Sequence, residues 1–185
     1  MPSAIQEGAT IATPFDDANN IDYEAFERLL DFLVGRDFEA SAGEYARRTF
    51  GSGAILERFR LFWERESGGA QFVVVLGSTG EGPTVEAEER RELVRRAVER
   101  KLGIPVVVGT GSNSTKAAVR LTEEAVDLGA DAVLVVVPYY NKPTPAGLIA
   151  HFRAVAAAAS SKPVIVYNVP GRTGINLAPS VMQQL

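Results

Sequence analysis

The sequence of 185 residues has no cysteine, a single histidine and no excess of basic residues. Without cysteine it can form neither a disulfide nor a thiolate metal site, and we expect a cytoplasmic protein. The net charge of −4 gives no indication of nucleic-acid binding. No apolar run reaches the roughly 18 residues of a membrane span. Residues 1–15 lack a basic segment followed by a long apolar run, so they do not predict a signal peptide.

Five short runs rich in β-branched residues alternate with helix-like segments. The runs are Ala9–Thr13, Phe72–Leu76, Ile104–Val108, Ala132–Val137 and Pro163–Tyr167. The helical segments are Asp22–Val34, Val85–Leu102, Ser114–Leu128 and Pro145–Ala159, with Asp22, Asn113 and Thr144 as predicted N-caps. Continuous apolar runs suit parallel strands buried on both faces, so the alternation predicts an α/β fold of βαβ units.

The spacing of these runs indicates an insertion. Later runs begin 32, 28 and 31 residues apart, whereas the first two begin 63 apart. Because one βα unit takes roughly 30 residues, we expect one domain over 1–185 with an insertion at 35–67. The inserted segment is either an added surface helix or a sequence artefact, or else a lid or partner-binding element.

A polar or glycine-containing loop follows each predicted strand. Because parallel strands direct these loops to one face, they predict a small-molecule site there. In the loop GSTGEG, backbone amides and the hydroxyls of Ser78 and Thr79 can bind an anion, or the glycines can simply form a tight turn. Its glycine spacing does not match a dinucleotide-binding loop.

Two further side chains are candidates for this site, and a third is predicted to lie outside it. Tyr167 ends a strand, so its phenol either faces the loops or packs in the core. Arg172 lies between glycines and can bind a carboxylate or remain solvated. His151 is predicted on a helix surface and not as a base or metal ligand. One histidine without any cysteine argues against a transition-metal site, and no Ser-His-Asp triad is available without His151.

The loops contain motifs that resemble a known family. These motifs are TPF (13–15), GSTGE (77–81), GTGSNST (109–115), PYYNKPT (138–144) and YNVPGRTG (167–174). The sequence resembles the dihydrodipicolinate synthase and N-acetylneuraminate lyase superfamily, and the last two motifs resemble its synthase branch. The resemblance implies a (β/α)8 TIM barrel, of which about five βα units are present here.

The resemblance also implies a reaction. Members of the synthase branch are pyruvate-dependent class I aldolases that form a lysine Schiff base. They condense pyruvate with aspartate semialdehyde to 4-hydroxy-tetrahydrodipicolinate, in lysine and diaminopimelate biosynthesis. No cofactor is expected, and full-length members are homo-oligomers. Two alternatives remain: another 2-keto-acid aldolase or lyase of the superfamily, or a non-catalytic remnant that associates with a paralogue.

Three residues match the proton relay of that family. Ser78 matches the relay hydroxyl, which is often threonine in synthases. Tyr167 matches the tyrosine beside the Schiff base, and Tyr140 matches the tyrosine that reaches across a dimer interface. Since a phenol has a pKa near 10, each tyrosine needs a hydrogen-bonded partner to transfer protons near neutral pH.

Other positions match the family's substrate-binding residues. Thr79 and Gly80 correspond to the cradle for the pyruvate carboxylate, and Arg172 to the arginine that receives the carboxylate of the semialdehyde. Lysine-inhibited relatives have larger or acidic residues where this sequence has Ala87 and Ala117. We therefore do not expect feedback inhibition by lysine.

The Schiff-base lysine of the family lies at the end of a sixth strand. None of the four lysines here, Lys101, Lys116, Lys142 and Lys162, matches that position. An amine nucleophile needs a desolvated site beside the substrate, so we expect the 185-residue chain to be a truncated member, inactive alone. Its first and fifth strands would be open edges, which predicts poor stability or aggregation.

Overall fold

A computed structural model describes residues 8–34 and 70–185, and divides into two compact units, Met1–Val106 and Val107–Leu185. The predicted insertion at 35–67 lies outside the described residues. The prediction of one domain over the whole chain stays a prediction. Within residues 8–34 and 70–185, no helix combines the length and the apolar character that crossing a membrane requires.

The first unit contains two strands and two helices in strict alternation. In chain order these are β1 (Gly8–Thr10), α1 (Tyr23–Leu33), β2 (Phe72–Val75) and α2 (Ala87–Glu99). β1 runs parallel to β2, with Ala9 opposite Val73. The fully buried side chains come from one face of each helix and from β2: Phe26, Leu30, Leu93, Val73 and Val75.

Local side-chain bonds set where both helices begin. The Asp22 carboxylate accepts the Ala25 N–H at 2.8 Å, which confirms Asp22 as the N-cap of α1. Helix α2 begins with a capping box in which Glu86 and Glu89 each accept the other's backbone N–H. Both helices therefore start at a residue whose carboxylate satisfies a free amide.

Charged side chains join α1 to α2. The Arg96 and Arg100 guanidinium groups donate to the Glu27 carboxylate at 2.6 and 2.8 Å, and Arg100 Nε donates to Asp31 at 3.0 Å. Arg96 also lies over the Tyr23 ring, 4.7 Å from its centroid. Because one carboxylate receives two guanidinium groups in partly buried surroundings, this network is a stabilising contact between the helices.

We expect Glu27→Gln to lower the free energy of unfolding by about 1–2 kcal/mol. The amide keeps the size of the side chain but removes the charge that Arg96 and Arg100 both contact. Urea unfolding with and without 1 M salt measures the effect, which should shrink as salt screens the pair. The matched control is Glu88→Gln, whose exposed partner is Arg91 at 3.0 Å and which should change stability by less than about 0.5 kcal/mol. An equal loss of stability in the two variants would contradict the stabilising role of the Glu27 network.

The second unit repeats the strand-helix alternation. It contains β3 (Val106–Gly109) apart from its first residue, α3 (Thr115–Asp127), β4 (Ala132–Val136), α4 (Pro145–Ala159), β5 (Val164–Tyr167) and two short helices, α5 (Pro170–Thr173) and α6 (Pro179–Met182). β3, β4 and β5 are adjacent and parallel, so that Val133 stands opposite Val108 on one side and Val164 on the other. The predicted α/β class with parallel strands is therefore confirmed.

The second unit corrects two predictions. Helix α3 is capped by Ser114, whose side chain accepts the Ala117 N–H, and not by Asn113. β5 is not buried on both faces, since Ile165 is 38% exposed. Among the described residues β5 has a neighbouring strand on one edge only, which is β4, whereas β4 has a strand on both edges. The other edge of β5 is therefore open in the described part of the chain. Thr144 is confirmed as the cap of α4.

Candidate functional site

In the first unit, a closed turn follows β2. The Glu81 N–H donates to Ser78 O and the Gly82 N–H to Gly77 O, both at 3.3 Å. Ser78 and Thr79 are exposed on this turn, whereas Gly80 is buried. The structure therefore places the three predicted residues of the GSTGEG loop consecutively at the carboxyl end of β2.

The turn contains backbone conformations that side chains normally avoid. Leu76 has φ 60° and Glu81 has φ 50°, both in the left-handed region. Each costs about 1–2 kcal/mol relative to a right-handed conformation. At Gly82 a Cβ atom would lie 2.4 Å from Leu76 O, so only glycine fits there. Strain of this kind persists where packing fixes it, and such positions concentrate at functional sites.

The turn presents hydrogen-bond donors that its own closure does not use. Among the described residues, no hydrogen bond engages the amides of Ser78, Thr79 or Gly80. Two hydroxyls and three amides in consecutive residues can donate together to one small anion such as a carboxylate. This arrangement favours the anion-binding interpretation of GSTGEG over a turn without further function.

In the second unit, the loops after β3 and β4 are joined. The Asn141 side-chain amide donates to Asn113 O at 2.8 Å. Beside it, Tyr140 has φ 72° and is 88% exposed, and Lys142 has φ 49°. Tyr140 is thus held in a strained backbone conformation with its ring in solvent, where a partner molecule can contact it.

Tyr167 and Arg172 occupy the end of β5 and the short helix that follows it. Tyr167 is half-buried, and its carbonyl accepts the Val137 N–H at 3.0 Å. Arg172 lies in α5 and is exposed. Gly174 is the C-cap of α5, and its φ of 72° favours glycine at this position.

Two polar residues that the sequence analysis did not single out hold this segment. Asn168 accepts the Leu177 N–H at 3.1 Å and donates to Asn176 at 2.8 Å. The Thr173 hydroxyl donates to Ile175 O at 2.9 Å. Both residues are polar and lie inside the motif YNVPGRTG, and this could have indicated their role in fixing the loop. They fix the backbone from which Arg172 projects.

The prediction that His151 lies on a helix surface is wrong. Its side chain is only 3% exposed, packs edge-on against Phe152, and has Nδ1 2.9 Å from the Thr115 hydroxyl. Nε2 has no hydrogen-bond partner among residues 8–34 and 70–185. The sequence carried the signal, because His151 lies at helical spacing between Leu148 and Val155, both buried.

Burial gives this histidine a defined pH dependence. Desolvation lowers the pKa of His151 below its usual 6.5. Below pH 6.5 the unfolded chain therefore binds a proton that the folded chain does not, and stability falls as the pH falls. Hydrogen bonds from Arg95 and Arg96 lower the pKa of Glu92 from its usual 4.5 to about 2, so the stability that Glu92 contributes is lost only at lower pH, below about pH 5.

We expect His151→Asn to flatten the stability profile between pH 7 and pH 5. Asparagine retains a polar group near Thr115 but cannot take up a proton there. Packing against Phe152 is lost, so the variant should be less stable at pH 8 by about 1–3 kcal/mol. Urea unfolding at pH 8, 6.5 and 5 measures both effects. An unchanged slope with pH would mean that His151 titrates as it does in the unfolded chain.

Comparison with known proteins gives the family. Residues 66–185 match the model of the dihydrodipicolinate synthetase family. The chain belongs to this family. Among the described residues, no group of three or more histidine, cysteine, aspartate or glutamate side chains could hold a metal ion.

Individual relatives agree with the family. The chain is 43% identical over 176 residues to a 4-hydroxy-tetrahydrodipicolinate synthase of Alkaliphilus oremlandii, covering 95% of this chain and 49% of the relative. It is 55% identical over 120 residues to one of Synechococcus, covering 63% of this chain and 39% of the relative. The chain thus spans about half the length of the first of these relatives, and less of the second.

Solved structures agree as well. The 4-hydroxy-tetrahydrodipicolinate synthase of Methylacidiphilum fumariolicum matches with a TM-score of 0.75 and 37% identity, covering 98% of this chain and 50% of that one. The expected fold class, about five βα units of the (β/α)8 TIM-barrel family, is confirmed. The recognition of the family from its five loop motifs is confirmed with it.

Proposed function

We propose that the protein to which this sequence belongs condenses pyruvate with aspartate semialdehyde to form 4-hydroxy-tetrahydrodipicolinate. The observation that carries the proposal is the turn after β2. Its exposed hydroxyls and unused amides at Ser78 and Thr79 can bind a carboxylate, in a chain of the dihydrodipicolinate synthetase family. The named relatives are synthases of this kind.

The proposed chemistry needs an amine, a carboxylate site and a proton relay. A lysine amine displaces the carbonyl oxygen of pyruvate as water, and loss of a methyl proton then gives an enamine. The enamine carbon attacks the aldehyde carbon of the semialdehyde, and the resulting alkoxide takes a proton. The amino group of the semialdehyde part then adds to the imine carbon and displaces the lysine amine, which closes the ring of the product and frees the lysine. Thr79 and Gly80 hold the pyruvate carboxylate, Arg172 holds that of the semialdehyde, and Ser78, Tyr140 and Tyr167 transfer protons.

We propose that the amine is none of the four lysines in this sequence. Lys101, Lys116 and Lys142 are exposed, whereas an amine nucleophile needs a desolvated site beside the substrate. Lys162 is half-buried but precedes β5, at the amino end of the strand and away from the loop after Tyr167. The 185-residue chain by itself should therefore not catalyse the condensation.

The exposed ring of Tyr140 supports a homo-oligomer. A tyrosine held at φ 72° with 88% of its surface in solvent is available to a second copy of the chain. We propose that Tyr140 completes the relay of a neighbouring subunit. We also propose a cytoplasmic location, which a biosynthetic enzyme without cysteine suits.

A coupled assay on the gene product that carries this sequence tests the function. Product should form only when pyruvate and aspartate semialdehyde are both present. Cleavage of a keto-acid sugar without this condensation would favour another aldolase of the superfamily. No turnover with either substrate, together with co-purification of a full-length paralogue, would favour a non-catalytic remnant.

A further inference from the structure

The Gly80 carbonyl, in the turn after β2, is bonded to a residue far away in the sequence. The Thr13 hydroxyl donates to Gly80 O at 2.6 Å, and the bond is buried. Thr13 itself is only 8% exposed, so water does not compete for its hydroxyl. We propose that Thr13 is a positioning residue for 2-oxo acid binding, because it fixes the peptide plane between Gly80 and Glu81. The inference rests on the proposed function of the turn.

The peptide plane between Gly80 and Glu81 has an alternative orientation that Glu81 itself would favour. Glu81 is held at φ 50°. Rotating the plane by half a turn would bring that angle to about −130°, in the broad region that all residues adopt. Gly80 has no Cβ and does not oppose the rotation. Some other interaction must therefore hold the observed orientation.

The rotation would also open the turn. In the observed orientation, the Glu81 N–H of this plane donates to Ser78 O at 3.3 Å. Reversing the plane removes this bond and turns the Gly80 carbonyl away from Thr13. The turn around Ser78, Thr79 and Gly80 would then lose one of the two bonds that close it. Thr13 thus opposes a motion that would loosen the group of donors for a carboxylate.

The surroundings of the turn leave little other freedom. The Arg90 guanidinium donates to Gly82 O at 3.1 Å. A Cβ on Gly80 would lie 3.0 Å from Ile11 O, so the backbone of Ile11 lies close to the turn. Because neighbouring groups fix the backbone on both sides of Glu81, the Gly80–Glu81 plane is the part whose orientation depends on the Thr13 hydroxyl.

The test compares Thr13→Val, which removes the donor but keeps the shape, with Thr13→Ser, which keeps the donor. In the gene product that carries this sequence, T13V should raise the KM for pyruvate about tenfold, from loss of one buried hydrogen bond. The KM for aspartate semialdehyde should change less than about twofold, and T13S should match the original protein within about twofold. If T13V does not fold, Thr13→Cys, a weak donor, should give an intermediate KM.

Two further variants separate positioning from packing. Thr122→Val removes another buried threonine hydroxyl, which donates to Thr110 at 2.9 Å, and should lower stability without changing the KM for pyruvate. Glu81→Gly removes the strain at φ 50°, since glycine adopts positive φ without cost. The double variant T13V/E81G should therefore recover most of the lost affinity for pyruvate, which a purely structural role of Thr13 would not allow.

The outcomes are distinguishable. If the unaltered protein shows no saturation by pyruvate, the proposed function fails. If it is saturated by pyruvate and T13V keeps the original KM, the positioning role of Thr13 fails while the function stands. A raised KM in T13V that E81G does not relieve would also overturn the inference, because the orientation of the Gly80–Glu81 peptide would then not be the cause.

Discussion

Replacing Tyr167 by phenylalanine should lower kcat for the condensation by about 100- to 1,000-fold, the range that general acid-base groups supply. The residue ends β5, where its backbone is fixed by the bond from Val137 at 3.0 Å. Phenylalanine keeps the ring in place and removes only the hydroxyl, which we propose transfers protons. Steady-state kinetics with both substrates measures the loss.

The matched control for Tyr167→Phe is Tyr23→Phe. Tyr23 lies in α1, where its ring packs under Arg96, and its hydroxyl has no proposed role in the reaction. The control should change kcat by less than about twofold. A fall in kcat of similar size in both variants, or a rise in KM alone for Tyr167→Phe, would argue against a proton-transfer role for Tyr167.

Replacing Arg172 by alanine should raise the KM for aspartate semialdehyde by about 10- to 100-fold, the worth of hydrogen bonds to a charged group. Arg172 is exposed in α5, and the bonds of Asn168 and Thr173 fix its backbone. The KM for pyruvate should not change. Arg172→Lys should restore part of the affinity, because lysine keeps the charge but not the bidentate geometry.

The control for Arg172→Ala is Arg153→Ala. Arg153 is an exposed arginine of α4 that donates to Gln184 O at 3.0 Å. Its loss should leave both KM values within about twofold of the original. If Arg172→Ala raised the KM values for pyruvate and the semialdehyde equally, the assignment of Arg172 to the semialdehyde would be wrong.

Much of the fold follows from local sequence. The β-branched runs predicted five strands, and the structure places β2 at Phe72–Val75 and β4 at Ala132–Val136, within the predicted bounds. Asp22 and Thr144 were recognised as helix caps, because a short polar side chain before an apolar helical stripe satisfies a free amide. Periodicity and capping act within a few residues, which is why the sequence shows them directly.

Other features depend on contacts that no local pattern encodes. The bond from Thr13 to Gly80 joins residues 67 apart in the sequence, and Tyr140 takes φ 72° although tyrosine avoids that region. The exposure of Ile165 depends on how many strands flank β5, not on its own residue type. The burial of His151 is different, because its helical spacing to Leu148 indicates a buried position. The prediction of a surface position gave more weight to the polarity of histidine than to this spacing.

The sequence predicts which residues form the candidate site, but it does not predict how their backbone is arranged. The glycines of GSTGEG indicated an unusual turn, and the structure adds that Leu76 and Glu81 carry the strain. The sequence could not show which amides remain unused after the turn closes, because this depends on the partners of each carbonyl. The roles of Ser78, Thr79 and Arg172 in catalysis and binding stay proposals.

Reductive trapping tests the proposed Schiff-base mechanism most directly. The gene product that carries this sequence is incubated with pyruvate and borohydride, and the modified peptide is identified by mass spectrometry. We predict one pyruvate adduct, formed with loss of activity, on a lysine other than Lys101, Lys116, Lys142 and Lys162. An adduct on one of these four, or an active condensing enzyme that forms no adduct, would contradict the account.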